Sequence, residues 1–130
     1  MDKAQAIHSF WSGFGWPAID ELSSYDIKTM EALGITDKYI TYEVVTGNLS
    51  DAPVAMTASL WHKSMSWAEI TQKADEIAAA IGYGGRTLKV DEGYIQIWLG
   101  SPFAQRMAVD ADYDMRRIYL NIQAEFLTAT

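Results

Sequence analysis

The chain has 130 residues, the size of one domain, and its 49% hydrophobic content is too high for an intrinsically disordered protein. It contains no cysteine, which excludes disulfides, thiolate metal sites and cysteine nucleophiles. The net charge of −7 and the pI near 4.6 argue against a protein that holds nucleic acid by broad phosphate neutralisation. Because neither a signal peptide nor a long apolar run is present, we expect a soluble, cytosolic chain.

The first fourteen residues predict a helix that ends in an aromatic bend. Asp2 suits the N-terminal end, and apolar side chains then recur at spacings of three and four: Ala6, Ile7, Phe10, Trp11 and Phe14. Gly13, Gly15 and Pro17 break the pattern, and we expect the aromatic side chains here to pack in the core. The acidic stretch 20–38 is predicted to be a surface excursion, either partly helical or a contact loop.

The middle of the chain predicts a hairpin followed by a helix. Residues 39–46 and 54–61 are rich in β-branched and aromatic side chains with strand-like alternation. From Trp67 to Ile81 the apolar period becomes helical, and Gly82 is the expected stop. A capping box between Ser66 and Glu69, together with a hydrophobic staple between Met65 and Ile70, is predicted at the start of this helix.

The last third predicts a second hairpin and a long final strand. Residues 86–90 and 94–99 flank a short glycine-containing turn, with Ile95, Ile97 and Leu99 on one face and Tyr94, Gln96 and Trp98 on the other. Residues 100–114 are predicted to be an extended loop, and residues 115–127 alternate over the whole segment. The sequence therefore predicts one α+β domain, residues 1–130, with a mostly antiparallel sheet of about five strands and two helices on one face.

No catalytic, cofactor or metal site can be assembled from this sequence. His8 and His62 lack a histidine or carboxylate at ligand spacing and are predicted to be partly exposed structural residues. Asp110, Asp112 and Asp114 resemble the start of a calcium loop but lack its later glycine and glutamate. If the chain were instead an enzyme or a small-ligand module, His62 beside Glu43 or Glu69 would be its least implausible nucleus.

The polar face of the final strand, together with Tyr94, Gln96 and Trp98, favours a binding or assembly surface. Amphipathic side chains of this kind bury area while keeping hydrogen-bonding tips. The alternative is a half-solvated sheet face on a monomer.

Several blocks, read in order, resemble one family. They are F-W-S-G-F-G-W-P-A (10–18), I-T-Y-E-V (40–44), A-S-L-W-H-K-S-M-S-W-A-E-I (58–70), G-Y-I-Q-I (93–97), P-F-A-Q-R (102–106) and R-R-I-Y-L-N-I (116–122). The sequence resembles the tail terminator, or tail-completion, proteins of siphophages, which are often labelled minor tail or minor capsid proteins. The resemblance runs from about residue 7 to 127, apart from the acidic stretch 20–38.

The resemblance implies a structural virion protein assembled in the host cytoplasm. Such a protein forms a hexameric ring on the head-proximal end of the tail tube, ends tube polymerisation and joins the tail to the neck. Its partners would be the tail tube protein and a head-completion or neck protein. DNA would pass through the lumen without specific binding, and no cofactor, membrane contact or catalysis is implied. A head-completion or stopper protein of the neck is the alternative in the same assembly.

Interface residues are expected in two places. Along the outer face of the last strand they are Arg116, Arg117, Tyr119, Asn121 and Gln123. In the irregular loop Phe103, Gln105 and Arg106 could reach a neighbouring subunit or the tube. The competing role for Arg117 is a local ion pair with the acidic run 110–114.

Overall fold

A computed structural model describes residues 1–23, 27–109 and 114–130. In chain order the elements are α1 (Lys3–Ser12), β1 (Ala18–Asp20), α2 (Ile27–Ala32), β2 (Lys38–Tyr42), β3 (Val54–Lys63), α3 (Ala68–Ile81), β4 (Arg86–Val90), β5 (Gly93–Met107) and β6 (Met115–Thr128).

The strands form a single sheet in the order β1-β2-β3-β6-β5-β4. β1 and β2 pair in parallel, whereas the other pairings in the sheet are antiparallel. The α+β class is therefore confirmed, with six strands instead of about five and a short additional helix, α2. The extra strand is β1, whose three residues are too few to show a clear period. α2 lies in the stretch 20–38, where a partly helical segment was one of the two expectations.

α1 has the predicted start and the predicted buried stripe. Asp2 accepts a hydrogen bond from the Gln5 N–H at 2.8 Å, and the Gln5 side chain accepts one from the Asp2 N–H in return. The buried side chains include Phe10 and Trp11, whose rings meet edge to face at 4.9 Å. This confirms that the aromatic side chains of this segment pack in the core.

α3 follows the prediction in its apolar face and at its end, but the predicted capping box is wrong. The Ser66 hydroxyl accepts from the Ala68 N–H at 3.1 Å, and Trp67 is the N-cap without a side-chain hydrogen bond. Glu69 instead accepts from Lys38 at 2.6 Å, because a charged partner from β2 lies within reach. The staple is also wrong, since Met65 is 62% exposed. Gly82 ends the helix with φ of 71°, as predicted.

The core lies between α1, α3 and one face of the sheet. α3 contributes Ile70, Ala74, Ile77 and Ile81, and the central strands contribute Ile95, Ile97, Ile118, Leu120 and Ile122, all buried in one cluster. Full burial of an aliphatic side chain of this size stabilises the fold by about 1.5–3 kcal/mol. The face that α3 covers is therefore the face predicted from the alternation of β5 and β6.

β5 departs most from the sequence prediction. Residues 100–107 are not part of an extended loop, because β5 continues to Met107 and pairs with β6 on both sides of a register shift between Leu99 and Ala104. Gly100 permits the irregularity, since a Cβ there would lie 2.7 Å from the carbonyl oxygen of Asn121.

The register shift exchanges the two faces of β5. Before it, Leu99 lies opposite Ile122 on the core face; after it, Ala104 lies opposite Leu120 and Arg106 opposite Ile118. From Ala104 onwards, therefore, even-numbered residues of β5 face the helices and odd-numbered residues face away from them.

Two edges of the sheet lack a further strand in the described part of the chain. β4 pairs with β5 only as far as Ile97, which leaves the outer edge of β5 from Trp98 to Met107 without a strand partner. At the opposite edge β1 has three residues and pairs only with β2.

Candidate functional site

We call the sheet surface that faces away from α1 and α3 the open face. Alternation and register place there one set of polar and aromatic side chains: Tyr39, Thr41, Thr57, Ser59, Trp61, Tyr94, Gln96, Trp98, Gln105, Arg117, Tyr119, Asn121 and Gln123. The four from β6 between Arg117 and Gln123 are all half-buried.

A row of stacked side chains crosses the open face. Trp61 and Tyr39 stack with ring centroids 6.0 Å apart, and the Arg117 guanidinium carbon lies 4.8 Å from the Trp61 centroid and 5.7 Å from that of Tyr119. Arg117 Nε donates to the Ser59 hydroxyl at 3.1 Å. These contacts hold Arg117 in one orientation before any partner arrives.

Sequence reasoning missed Trp61 and Tyr39 as members of this row. The alternation of residues 54–61 already puts Trp61 on the face of Ser59, but the partner on β2 depends on the hairpin register. The indole N–H of Trp61 donates to Thr41 at 2.9 Å, which fixes the ring against β2.

A cleft of about 340 Å³ lies on the open face beside this row. Its lining residues include Trp61, Arg117 and Glu21. Burial, followed by the negative charges of Glu43 and Asp20, raises the pKa of Glu21, and the Arg117 charge offsets part of this rise. Carboxylates therefore crowd this side of the sheet without full compensation.

The competing ion pair for Arg117 falls mostly outside the described residues. Asp110 and Asp112, and with them the calcium-loop pattern, lie in the stretch 110–113. Asp114 is described, and its side chain forms no salt bridge with Arg117.

Arg116 does not lie on the outer face, so that expectation is wrong. It is opposite His62 and has the same parity as buried Ile118, which places it on the helix-bearing side. Its guanidinium carbon lies 5.4 Å from the Trp67 centroid, and its Nη2 donates to the Met65 carbonyl at 3.0 Å.

Arg106 shares the Trp67 ring with Arg116. The Arg106 guanidinium carbon lies 4.7 Å from the ring centroid, and this side chain is exposed. The π-face of the ring holds both cations, and the exposed Arg106 keeps its charge at the surface. The sequence assigned Trp67 only to the apolar face of α3. Its contact with Arg106 could not be predicted, because it depends on the register shift in β5.

The remaining predicted residues surround the register shift. Phe103 packs partly buried against the core, whereas Gln105 is exposed and lies opposite Tyr119. Asn121 donates to the Pro102 carbonyl at 3.3 Å, and Gln123 lies opposite Trp98. The structure therefore brings Gln105, Tyr119 and Arg117 together on the open face and places Phe103 and Arg106 on the other side.

Each histidine has a polar partner: the Tyr42 hydroxyl for His8 and, for His62, Glu69, which is one of the two carboxylates considered from the sequence. His62 is only 6% exposed, contrary to the expectation of partial exposure, and its Nε2 lies 3.4 Å from Glu69. Glu69 also pairs with Lys38 at 2.6 Å, and this hydrogen bond lowers the Glu69 pKa and raises that of Lys38. A carboxylate held ionised in this way is a weak general base, so the cluster fits an ion-pair network better than acid–base catalysis.

His8 is exposed, as predicted, and its Nδ1 lies 2.6 Å from the Tyr42 hydroxyl. The described residues include no cluster of three or more side chains suited to hold a metal ion. Within the same residues, each helix is too short or too polar to cross a bilayer.

Comparison with solved structures finds the same fold in a virion. Over 95% of this chain and 90% of the other, the structure matches a chain from the virion of a native gene transfer agent particle, with a TM-score of 0.56 and 16% sequence identity. At this identity the likeness is one of fold. No protein-family model matches the sequence, and no curated protein matches it either.

Proposed function

We propose that this chain is a structural virion protein, a tail terminator that forms a ring on the head-proximal end of a tail tube. The observation that carries the proposal is the fold shared along nearly the whole chain with a virion component. The ordered blocks that resemble siphophage tail terminators support the same role independently of the fold. In this role the protein ends tube polymerisation, joins tail to neck and performs no chemistry.

The open face supports an assembly role. Its row of Tyr39, Trp61 and Arg117 is oriented by internal contacts, so a partner could bind it without ordering long side chains first. Arg, Tyr and Trp are the residues that dominate binding energy at protein interfaces. Arg117, Tyr119, Asn121, Gln123 and Gln105 are the interface residues we propose on this face.

Phe103, Arg106 and Arg116 form a second proposed contact region around the end of β5 and the start of β6. A closed ring is heterologous, which means that two different surfaces of each subunit meet. Two separate regions with interface-type side chains fit that requirement.

The net charge of −7 suits a ring through which DNA passes without specific binding, because a negatively charged lumen repels phosphates. We propose that cations face neighbouring subunits and that the carboxylates outside the subunit contacts face the lumen. A ring whose lumen is lined by Lys and Arg side chains would contradict this part of the proposal.

Tube length tests the function directly. When the tail tube protein of the same virus polymerises in vitro, substoichiometric amounts of this chain should shorten the tubes, and electron microscopy should show it at one tube end only. Binding to head connectors in place of tubes would favour the stopper alternative. Tubes of unchanged length with no bound ring would contradict termination.

The open-face contact has its own test. Replacing Arg117 and Tyr119 together by serine should shift purified protein from ring to monomer in light scattering while the monomer stays folded. Tyr83→Ser is the matched control, because the Tyr83 side chain is fully exposed in the turn after α3. A double variant that keeps the wild-type mass would remove these residues from the interface.

A further inference from the structure

We propose that the ring is closed by charge pairing between opposite edges of the sheet, with the β4–β5 edge of one copy against the β1 edge of the next. We call the first the cationic edge, defined by Arg86, Lys89 and Arg106, and the second the acidic edge, defined by Asp20 and Glu21. The inference rests on the proposed ring and identifies the surfaces that build it.

Among the described residues, the cations of the cationic edge lack a carboxylate partner. Arg86, Lys89 and Arg106 lie over the rings of Phe10, Tyr94 and Trp67 at 5.4, 5.4 and 4.7 Å. Each is exposed, and none forms a salt bridge with any described carboxylate. The aromatic rings orient these cations without neutralising them.

The backbone of the same edge is also open. β4 has no strand on its outer side, and beyond Ile97 neither does β5. Edge strands of this length present unpaired N–H and C=O groups to a second chain. The cationic edge therefore offers both charge and main-chain hydrogen-bonding groups.

The acidic edge carries the complementary charge. Neither Asp20 nor Glu21 forms a salt bridge with a described cation. Burial and the negative charges of Glu43 and Asp20 raise the pKa of Glu21, and the charge of Arg117 offsets only part of this rise. Next to them Leu22 is 85% exposed, which provides apolar area that a neighbour could bury. Carboxylates that repel one another gain most from an incoming cation.

A second copy of this chain is the partner that fits both edges. The two edges lie at opposite ends of the strand order and carry opposite charge, so pairing edge with unlike edge is favourable and pairing an edge with itself is not. A copy that has made one contact still has its other edge free. Copies therefore add at the ends of the open assembly until the ring closes. The chain thus holds both halves of a heterologous contact.

Charge reversal at each edge tests the inference. Glu21→Lys and Arg106→Glu should each raise the concentration needed for assembly at least tenfold, and the double variant should recover most of the wild-type ring. Asp75→Lys, which makes the same charge change on the exposed side of α3, should assemble normally. Sedimentation and light scattering measure the mass, and circular dichroism checks folding.

Mixing the two single variants tests the same contact between different chains. An equimolar mixture restores opposite charges at both contacts, since Glu21 of one variant meets Arg106 of the other and the two substituted side chains meet each other, so it should recover rings in which the variants alternate. If either single variant misfolds, Glu21→Gln and Arg106→Gln replace it, with a smaller expected loss of assembly.

The outcomes distinguish this inference from the function on which it rests. If both single variants form rings at the same concentration as the wild type, the edge contact is overturned and the tail terminator proposal stands. A wild-type protein that stays monomeric and leaves tube length unchanged would overturn both. Rings in the mixture and in the double variant, with impaired assembly of each single variant alone, would support the edge contact.

Discussion

At the scale of single residues, the cluster at the start of α3 joins three parts of the chain. Glu69 accepts from Lys38 of β2 at 2.6 Å and lies 3.4 Å from His62 of β3. Lys38 also lies 5.8 Å from the Trp16 centroid, so the ion pair packs against the aromatic bend after α1. The Glu69 carboxylate therefore binds Lys38 and His62 in place of the Ser66 N–H, its partner in the predicted capping box.

The pH dependence of this cluster follows from the lowered pKa of Glu69. A carboxyl whose folded-state pKa lies below its unfolded value stabilises the fold above the unfolded value of 4.5 and loses that contribution as the pH falls through the folded-state pKa. Glu69→Gln should therefore lower Tm at pH 7, and the difference from wild type should vanish in acid. Thermal melts of Glu69→Gln and of the control Asp75→Asn across this range measure it. A Tm difference that is independent of pH would contradict the ion-pair account.

At the scale of elements, β6 carries the core and the open face at once. Ile118, Leu120 and Ile122 are buried under the helices, while Arg117, Tyr119 and Asn121 alternate with them on the open face. β6 lies in the middle of the strand order, between β3 and β5. Damage to its core side should unfold the domain, whereas changes on its other side should affect assembly.

A truncation pair on β6 tests this division. Leu120→Ala should lower the free energy of unfolding by about 2–5 kcal/mol, because Leu120 is fully buried and leaves a cavity. Leu127→Ala, on the open side of the same strand and 39% exposed, should cost much less. Urea unfolding of both variants gives the comparison, and equal losses would contradict the assignment of the two faces.

Periodicity predicted the long elements because each repeats its pattern over many residues. The stripe of α1, the apolar face of α3 and the alternation of β6 all lie in the structure where the sequence placed them. The parity of β6 also assigns Arg116 to the face of Ile118, so that correction required only the sequence. Short elements such as β1 offer no such repeat.

Contacts between distant segments account for what the sequence did not reveal. The register shift in β5 depends on the close approach of Gly100 to Asn121, and the loss of the capping box depends on Lys38. The stacking of Arg106 on Trp67 follows from that same shift. Of the candidate site, residue types and strand faces could be predicted, whereas cross-strand partners required the register.

At the scale of the whole molecule, the two sheet edges and the open face give the chain three surfaces suited to contact. A subunit of a closed ring needs at least two of them, because it meets a different neighbour on each side. The helices are confined to the core side of the sheet and to the border of the cleft, so they leave these surfaces accessible. The architecture is therefore compatible with a ring whose subunits join through their edges.

Negative-stain electron microscopy combined with light scattering shows whether this chain closes into a ring. We expect particles with a central hole and a mass of about six times the 14.5 kDa chain, which dissociate at high salt because charge pairing joins the subunits. A protein that remains a monomer at tens of micromolar, with no annular particles at low salt, would contradict ring closure.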